Sequence, residues 1–201
     1  GSSSGALAAK KEAAPAAPKI SLSKTFQPLA MAMNKSVETA KTRADVVAAA
    51  GGVNTAQTAL QAARGEARKQ ATANVNAAVA ALGNTLTAEK TQLDGLFAAA
   101  TSPDDRYMAG NMAVSLGGLA KDTRMQRRGL EAMLGSGKVA PADAPRLQYY
   151  LGQFAFDQAD YAAARTALQA AVGAGFREND ADALLAEAYI SDNQAAQGLT
   201  M

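Results

Sequence analysis

Four cations, Lys121, Arg124, Arg127 and Arg128, form the densest group of side chains able to do chemistry. Arg124 and Arg128 stand four residues apart and Arg127 three from Arg124, so one helical face carries the arginines. Such a face can hold a phosphate group or an acidic partner. Asp122 and Glu131 are nearby counter-charges, and the plainer reading is a solvated helix face. No aromatic residue interleaves with these cations, which argues against stacked nucleic-acid bases.

A second group is Arg146, Tyr149, Gln153 and Phe156, with Asp157 beside it. Spacings of three, four and three place the first four on one helical strip. An Arg, a Tyr, an amide and a Phe on one strip suit a bound peptide. The alternative is that Phe156 and Tyr150 belong to the core. "GSGK" at 135–138 invites a phosphate-loop reading, but Ala132 stands where the first Gly is needed and Val139 where Ser or Thr is needed. No strand signal precedes it, so a helix-ending turn is expected. The carboxylate pairs Asp104-Asp105 and Asp180/Asp182 fall at expected helix starts, where capping explains them.

The chain has no His and no Cys. The commonest zinc ligands, the commonest general base and a thiol nucleophile are therefore missing. No nucleophile–base arrangement stands out, so no catalytic residue, metal site or cofactor is assigned. The net charge of +2 identifies no partner. Its distribution is uneven: residues 1–100 carry eleven Lys and Arg against six Asp and Glu, and residues 101–201 carry nine against twelve.

The elements that must position these residues are helices. Apolar residues are 48% but aromatics only 5%, and alanine supplies much of the apolar share. Alanine-rich sequence with few β-branched runs predicts an all-α protein. "GSSSG" reads as an expression scar. The leader that follows is rich in Ala, Pro and Lys, and residues 1–24 are expected to be extended and disordered. It contains Ala6-Leu7-Ala8, the A-x-A form that signal peptidases accept, and the lysines Lys10, Lys11, Lys19 and Lys24.

Residues 25–100 read as an N-terminal helical pair. Leu29, Met33, Val37, Ala40, Ala44 and Val47 mark one face of a helix over about 28–50, which Gly51-Gly52 is expected to end. A stripe from Leu60 to Leu96 follows at an approximately 3.5-residue period, interrupted at Gly83-Asn84. One long helix over 53–100 and two helices meeting near Gly83 both fit. Beyond 101, Ser102-Pro103-Asp104-Asp105, Asp122, Asp143 with Pro145, Asp160, and Asn179 with Asp182 each signal a helix start. Short antiparallel helices are expected there.

Leu151-Gly152 and Leu185-Ala186 lie 34 residues apart, as do Phe156 and Ile190. With Tyr161, Ala164, Leu168 and Ala171, this spacing resembles the tetratricopeptide repeat family. Departures are Gln148 in place of Trp, Ala155 in place of Tyr, and Phe176 in place of the closing Pro. A weaker unit is expected upstream, since Leu116-Gly117 and Gly129 precede Leu151-Gly152 and Ala164 by 35 residues. The resemblance implies a short right-handed superhelix over 101–201. It implies that Gly152 and Ala164 are small because helices cross there, and that Arg146, Tyr149, Gln153 and Phe156 line a groove. The last repeat reads as incomplete at Met201, so either the native chain continues or another molecule, including a second copy by self-association, is expected to cover Leu184, Leu185 and Tyr189.

The function this implies is a non-enzymatic scaffold or adaptor that binds a peptide or partner helix. The A-x-A remnant and the absence of Cys fit exported, periplasmic tetratricopeptide proteins of bacteria, with a cytoplasmic location as the alternative. The competing function is nucleic-acid or anionic-surface binding through the Lys-rich leader and the Arg124–Arg128 patch, although nucleic acid is the weaker partner. No transmembrane segment is expected.

Overall fold

The computed structural model describes residues 18–198, which form helices and turns with no strand among them. The all-α expectation holds. The Ala6-Leu7-Ala8 tripeptide, Lys10 and Lys11 lie outside the described residues.

Residues 18–24 belong to the folded body rather than to a free leader. The Ser21 amide donates to Asp104 Oδ2 at 3.0 Å. The Ser23 amide and hydroxyl donate to the Asp105 carboxylate at 2.9 and 2.6 Å. Leu22 packs against the core. Chain entry is thus pinned to the start of a helix about 80 residues downstream.

Helix α1 spans Gln27–Thr42 and buries Ala30, Met33, Val37 and Ala40. Its spacing matches the expected stripe, but Leu29 and Val47 at the ends of that stripe are exposed. The helix ends at Arg43, whose backbone turns extended. Its guanidinium bonds to Asp45 at 2.7 Å, to Glu89 at 2.6 Å and to the Thr85 carbonyl. Helix α2 spans Ala44–Ala62 and runs straight through Gly51-Gly52. The glycine pair does not end a helix: neither residue takes a positive φ. Glycine permits a left-handed cap but does not compel one.

Gly65, at φ 59, is the residue that turns the chain. Helix α3 spans Glu66–Thr85 and helix α4 spans Thr87–Ala99. The break falls at Leu86, which is fully buried. Residues 53–100 are therefore divided among three helices, neither one nor two. The Leu82, Leu86, Leu93 and Leu96 part of the stripe is core in α3 and α4.

Helix α5, Pro103–Ala120, starts where the sequence signalled. Ser102 accepts the Asp105 amide at 3.1 Å, and Asp105 reciprocates on the Ser102 amide. Helix α6, Thr123–Gly135, is capped by Asp122, which accepts the Met125 amide at 3.0 Å. Helix α7 spans Ala144–Asp157. Helix α8, Tyr161–Gly173, is capped by Asp160 through the Ala163 amide at 3.3 Å. A 3-10 turn at Glu178–Asp180 precedes helix α9, Ala181–Ala196. Asn179 and Asp180 take positive φ there, and no side chain caps α9.

Helix α5 packs closely on α6, α7 on α8, and α8 on α9. One core cluster is built from α1 to α5, and a second from α7 to α9. In the second, a Cβ on Gly152 would sit 2.6 Å from Leu168 Cγ and 3.3 Å from the Ala164 carbonyl. Gly152 and Ala164 therefore mark the crossing, as the resemblance implies. In the α5–α6 hairpin Gly129 faces Gly110 and Val114, while Gly117 faces Gln126. Gly129 is thus not paired with Gly117 as Ala164 is with Gly152: the upstream hairpin crosses in a different register.

Candidate functional site

The strip of α7 that faces a cavity is rotated by about one residue from the expected one. Tyr149 is buried, stacked on Phe176 at 5.0 Å between centroids, and its hydroxyl donates to the Asn179 carbonyl at 3.3 Å. Burial raises its phenol above the ordinary range, with the negative groups nearby adding to the effect. It holds α7 to the turn before α9 and is no groove residue. Phe156 packs against the second core and meets Tyr161 edge-on at 5.3 Å. Gln153 is half-buried, and Asp157 is exposed at the end of α7. Desolvation by the neighbouring protein still raises the pKa of the Asp157 carboxyl.

Of the five, Arg146 faces a cavity. Leu147, Tyr150 and Phe154 join it on the side of α7 that looks toward α5 and α6. Together with Val114, Gln126 and Leu130 they border a partly open space of about 360 Å³. A second cavity of about 280 Å³ shares Arg146 and Leu147 and extends past Tyr107 and Lys138 to Pro18 and Ile20. The two adjoin at Arg146 and Leu147 and are together termed the trough, mostly apolar at the Phe154 end and more polar at the Lys138 end. Arg146 stands at their junction. Its carboxylate neighbour is Asp143, at a long 3.7 Å. Leu147, Tyr150 and Phe154 also follow helical spacing, so periodicity could not choose between the two strips. The position of α5–α6 chooses.

The basic cluster is split. Arg127 bonds to Asp160 at 2.6 Å, to Glu131 at 2.8 Å and to Gln158 at 3.2 Å. Asp160, then Glu131, raise the Arg127 pKa against its partial burial, and Arg127 in turn lowers that of Asp160. This residue clamps α6 to the α7–α8 turn. Arg128 lies over the Phe97 ring at 4.0 Å and bonds to Asp94 at 2.9 Å, clamping α6 to α4. Arg124 and Lys121 instead line a separate cavity, together with Lys90 of α4. Sequence reading missed Lys90 because only the tertiary packing brings it beside Lys121.

The remaining motifs have structural roles. In "GSGK", Ser136 donates to the Met133 carbonyl at 2.5 Å and accepts the Lys138 amide at 3.1 Å, while Gly137 takes a positive φ. Lys138 pairs with Asp104 at 3.1 Å. This is a helix-ending turn. Asp104 is lowered chiefly by the Ser21 amide, with Lys138 assisting against burial. Burial alone would raise Asp105, but the Ser23 hydroxyl and the amides of Ser23, Thr101 and Ser102 outweigh it and hold the carboxyl far below its ordinary range. Asp182 lies 3.6 Å from Arg177.

Leu184 and Leu185 pack against the second core, and Tyr189 lies under the Arg165 guanidinium at 4.2 Å. The chain's own residues therefore cover part of the face expected to need another molecule; Ile190 remains exposed. Among the described residues no group of three or more His, Cys, Asp or Glu is placed to hold a metal, and no helix is long and apolar enough to cross a membrane. No family model, curated protein or solved structure gives a significant match to this chain.

Proposed function

We propose that the protein is a non-enzymatic, tetratricopeptide-like interaction scaffold that holds a peptide segment in the trough between α7 and the α5–α6 hairpin. The observation that carries this reading is the trough itself. Apolar walls at Leu147, Tyr150, Phe154 and Leu130 take apolar side chains, and Arg146 takes a carboxylate at the junction. The preferred ligand is an apolar segment bearing one acidic residue. The Gly152–Ala164 crossing supports the repeat reading, and the missing His and Cys support a binding rather than a catalytic role. Ala6-Leu7-Ala8 supports an extracytoplasmic setting in a bacterial cell envelope.

The test is site-specific photo-crosslinking in cells, with the reactive residue placed at Tyr150, Phe154 or, as a control, the exposed Gln169 of α8. Capture of the same peptide segment from 150 and 154 but not from 169, lost on Arg146→Ala, is the expected result. Equal capture from all three positions would reject the trough.

A further inference from the structure

We propose that the cavity between the α3–α4 junction and the α5–α6 turn binds a soluble small molecule bearing a phosphate monoester or diphosphate. The cavity holds about 440 Å³ and is a different site from the peptide trough. Three elements each contribute one cation: Lys90 from α4, Lys121 from the turn and Arg124 from α6. Its one carboxylate, Asp122, is engaged through Oδ1 with the Met125 amide, and Lys90 Nζ lies 3.7 Å from Oδ2. Lys121 and Arg124 form no ion pair among the described residues, whereas Arg127 and Arg128 on the same helix are both paired. Three cations against one capping carboxylate leave the cavity an excess of positive charge.

Other features favour a tetrahedral oxyanion over a carboxylate. Thr87, Thr123 and Asn84 also line the cavity, with the Thr87 hydroxyl donating to the Asn84 carbonyl at 3.0 Å. Thr123 and Arg124, in the first turn of α6, line it too, which sets the positive end of the helix dipole at the cavity wall, where Asp122 takes the Met125 amide. Arginine and lysines together suit a polyanion with several acceptor oxygens. The cavity is larger than phosphate alone requires, and Val79, Ala80 and Ala120 give an organic group an apolar wall.

Two backbone positions fit this site. Lys121 adopts a left-handed conformation, φ 53 and ψ 34, that costs a lysine more than a glycine. At Gly83 a Cβ would lie 2.9 Å from Lys90 Nζ, so the missing side chain leaves the ammonium its place at the cavity wall.

The test is calorimetric titration of the full chain with pyrophosphate at constant ionic strength. Saturable one-site binding is expected, weakened at least about tenfold by Arg124→Ala and by Lys90→Gln. Lys69→Gln removes one positive charge from an exposed position of α3 outside the cavity and should change the affinity less than about twofold. Gly83→Ala tests the geometry: it removes no charge and favours the helix, yet should weaken binding by displacing Lys90. A parallel arm asks whether vesicles of phosphatidylcholine with phosphatidic acid sediment the protein. Their failure to do so while pyrophosphate binds supports a soluble ligand. The proposal is overturned if pyrophosphate does not saturate, if Lys69→Gln weakens binding as much as Arg124→Ala, if Gly83→Ala binds as wild type, or if vesicles capture the protein and pyrophosphate does not compete.

Discussion

A side chain added at Gly51 or Gly52, midway along α2, would meet nothing within 4 Å; one at Gly129 would lie 2.5 Å from the Gly110 carbonyl. The two glycine-bearing hairpins therefore stand on different principles. The α2–α3 hairpin has one narrow seam, with only Val46 and Val53 buried from α2 and Ala71 and Leu82 from α3. Its turn is satisfied by its own cations: Arg64 donates to the Gln61 and Ala63 carbonyls and Arg68 to the Leu60 carbonyl. The α5–α6 hairpin brings backbone against backbone, and α5 itself buries eight residues, five of them in the core shared with α1 to α4. Glycine in α2 is a cost in helix propensity, whereas in α5–α6 it is a condition of packing.

The contrast can be broken most directly at the crossing. Gly129→Ala forces a methyl against the Gly110 carbonyl and Val114, and should destabilise the protein by about 3 kcal/mol in denaturant unfolding. Native-state hydrogen exchange sharpens it without mutation. Amides near the α2–α3 turn should exchange at least about a hundredfold faster than those in the centre of α5. Equal protection would mean that the two hairpins open as one unit.

A third measurement concerns the chain entry that α5 holds. Asp105→Asn replaces an acceptor that receives the Ser23 amide and hydroxyl and the Thr101 amide, and should cost about 2 kcal/mol at neutral pH. The folded-state pKa of Asp105 is depressed, so its stabilisation is complete above the unfolded carboxylate value of about 4 and fades as pH falls below it. The gap between wild type and Asp105→Asn in thermal melts should therefore narrow between about pH 5 and pH 2. A gap independent of pH would remove the carboxylate from the explanation. The smallest effect has the opposite sign: Gly51→Ala should stabilise by about 0.7 kcal/mol, because its methyl has open space and alanine favours helix.

Starts of helices were legible in the sequence where one side chain does the capping. Ser102, Asp122 and Asp160 each act on an amide three residues ahead. The small residues Gly152 and Ala164 also announced their crossing. Interruptions were harder to read when their cause lies far along the chain. Arg43 ends α1 while reaching Glu89 and Thr85, and Leu86 breaks α3 from α4 as it fills the core. The same limit governed the sites. Tyr149 and Tyr150 are adjacent and alike, and only the placement of Phe176 and of α5–α6 makes one core and the other groove. Arg127 and Arg124 read as one patch until Asp160 claims the first. The cavity residue Lys90 had no local signal at all.

The bonds from Ser21 and Ser23 to Asp104 and Asp105 join residues 83 and 82 positions apart. They close a loop that contains α1 to α4, and the closure carries an entropic penalty that local hairpins do not. A ribosome that has delivered α1 to α4 has not yet delivered the carboxylates that anchor Ser21 and Ser23. The hairpins of the second half can form as soon as each emerges, since their partners are neighbours in sequence. The N-terminal half thus completes its assembly only after α5 has begun, and its folding rate should depend on the span between Ser23 and Asp105 more than on the length of any helix inside it.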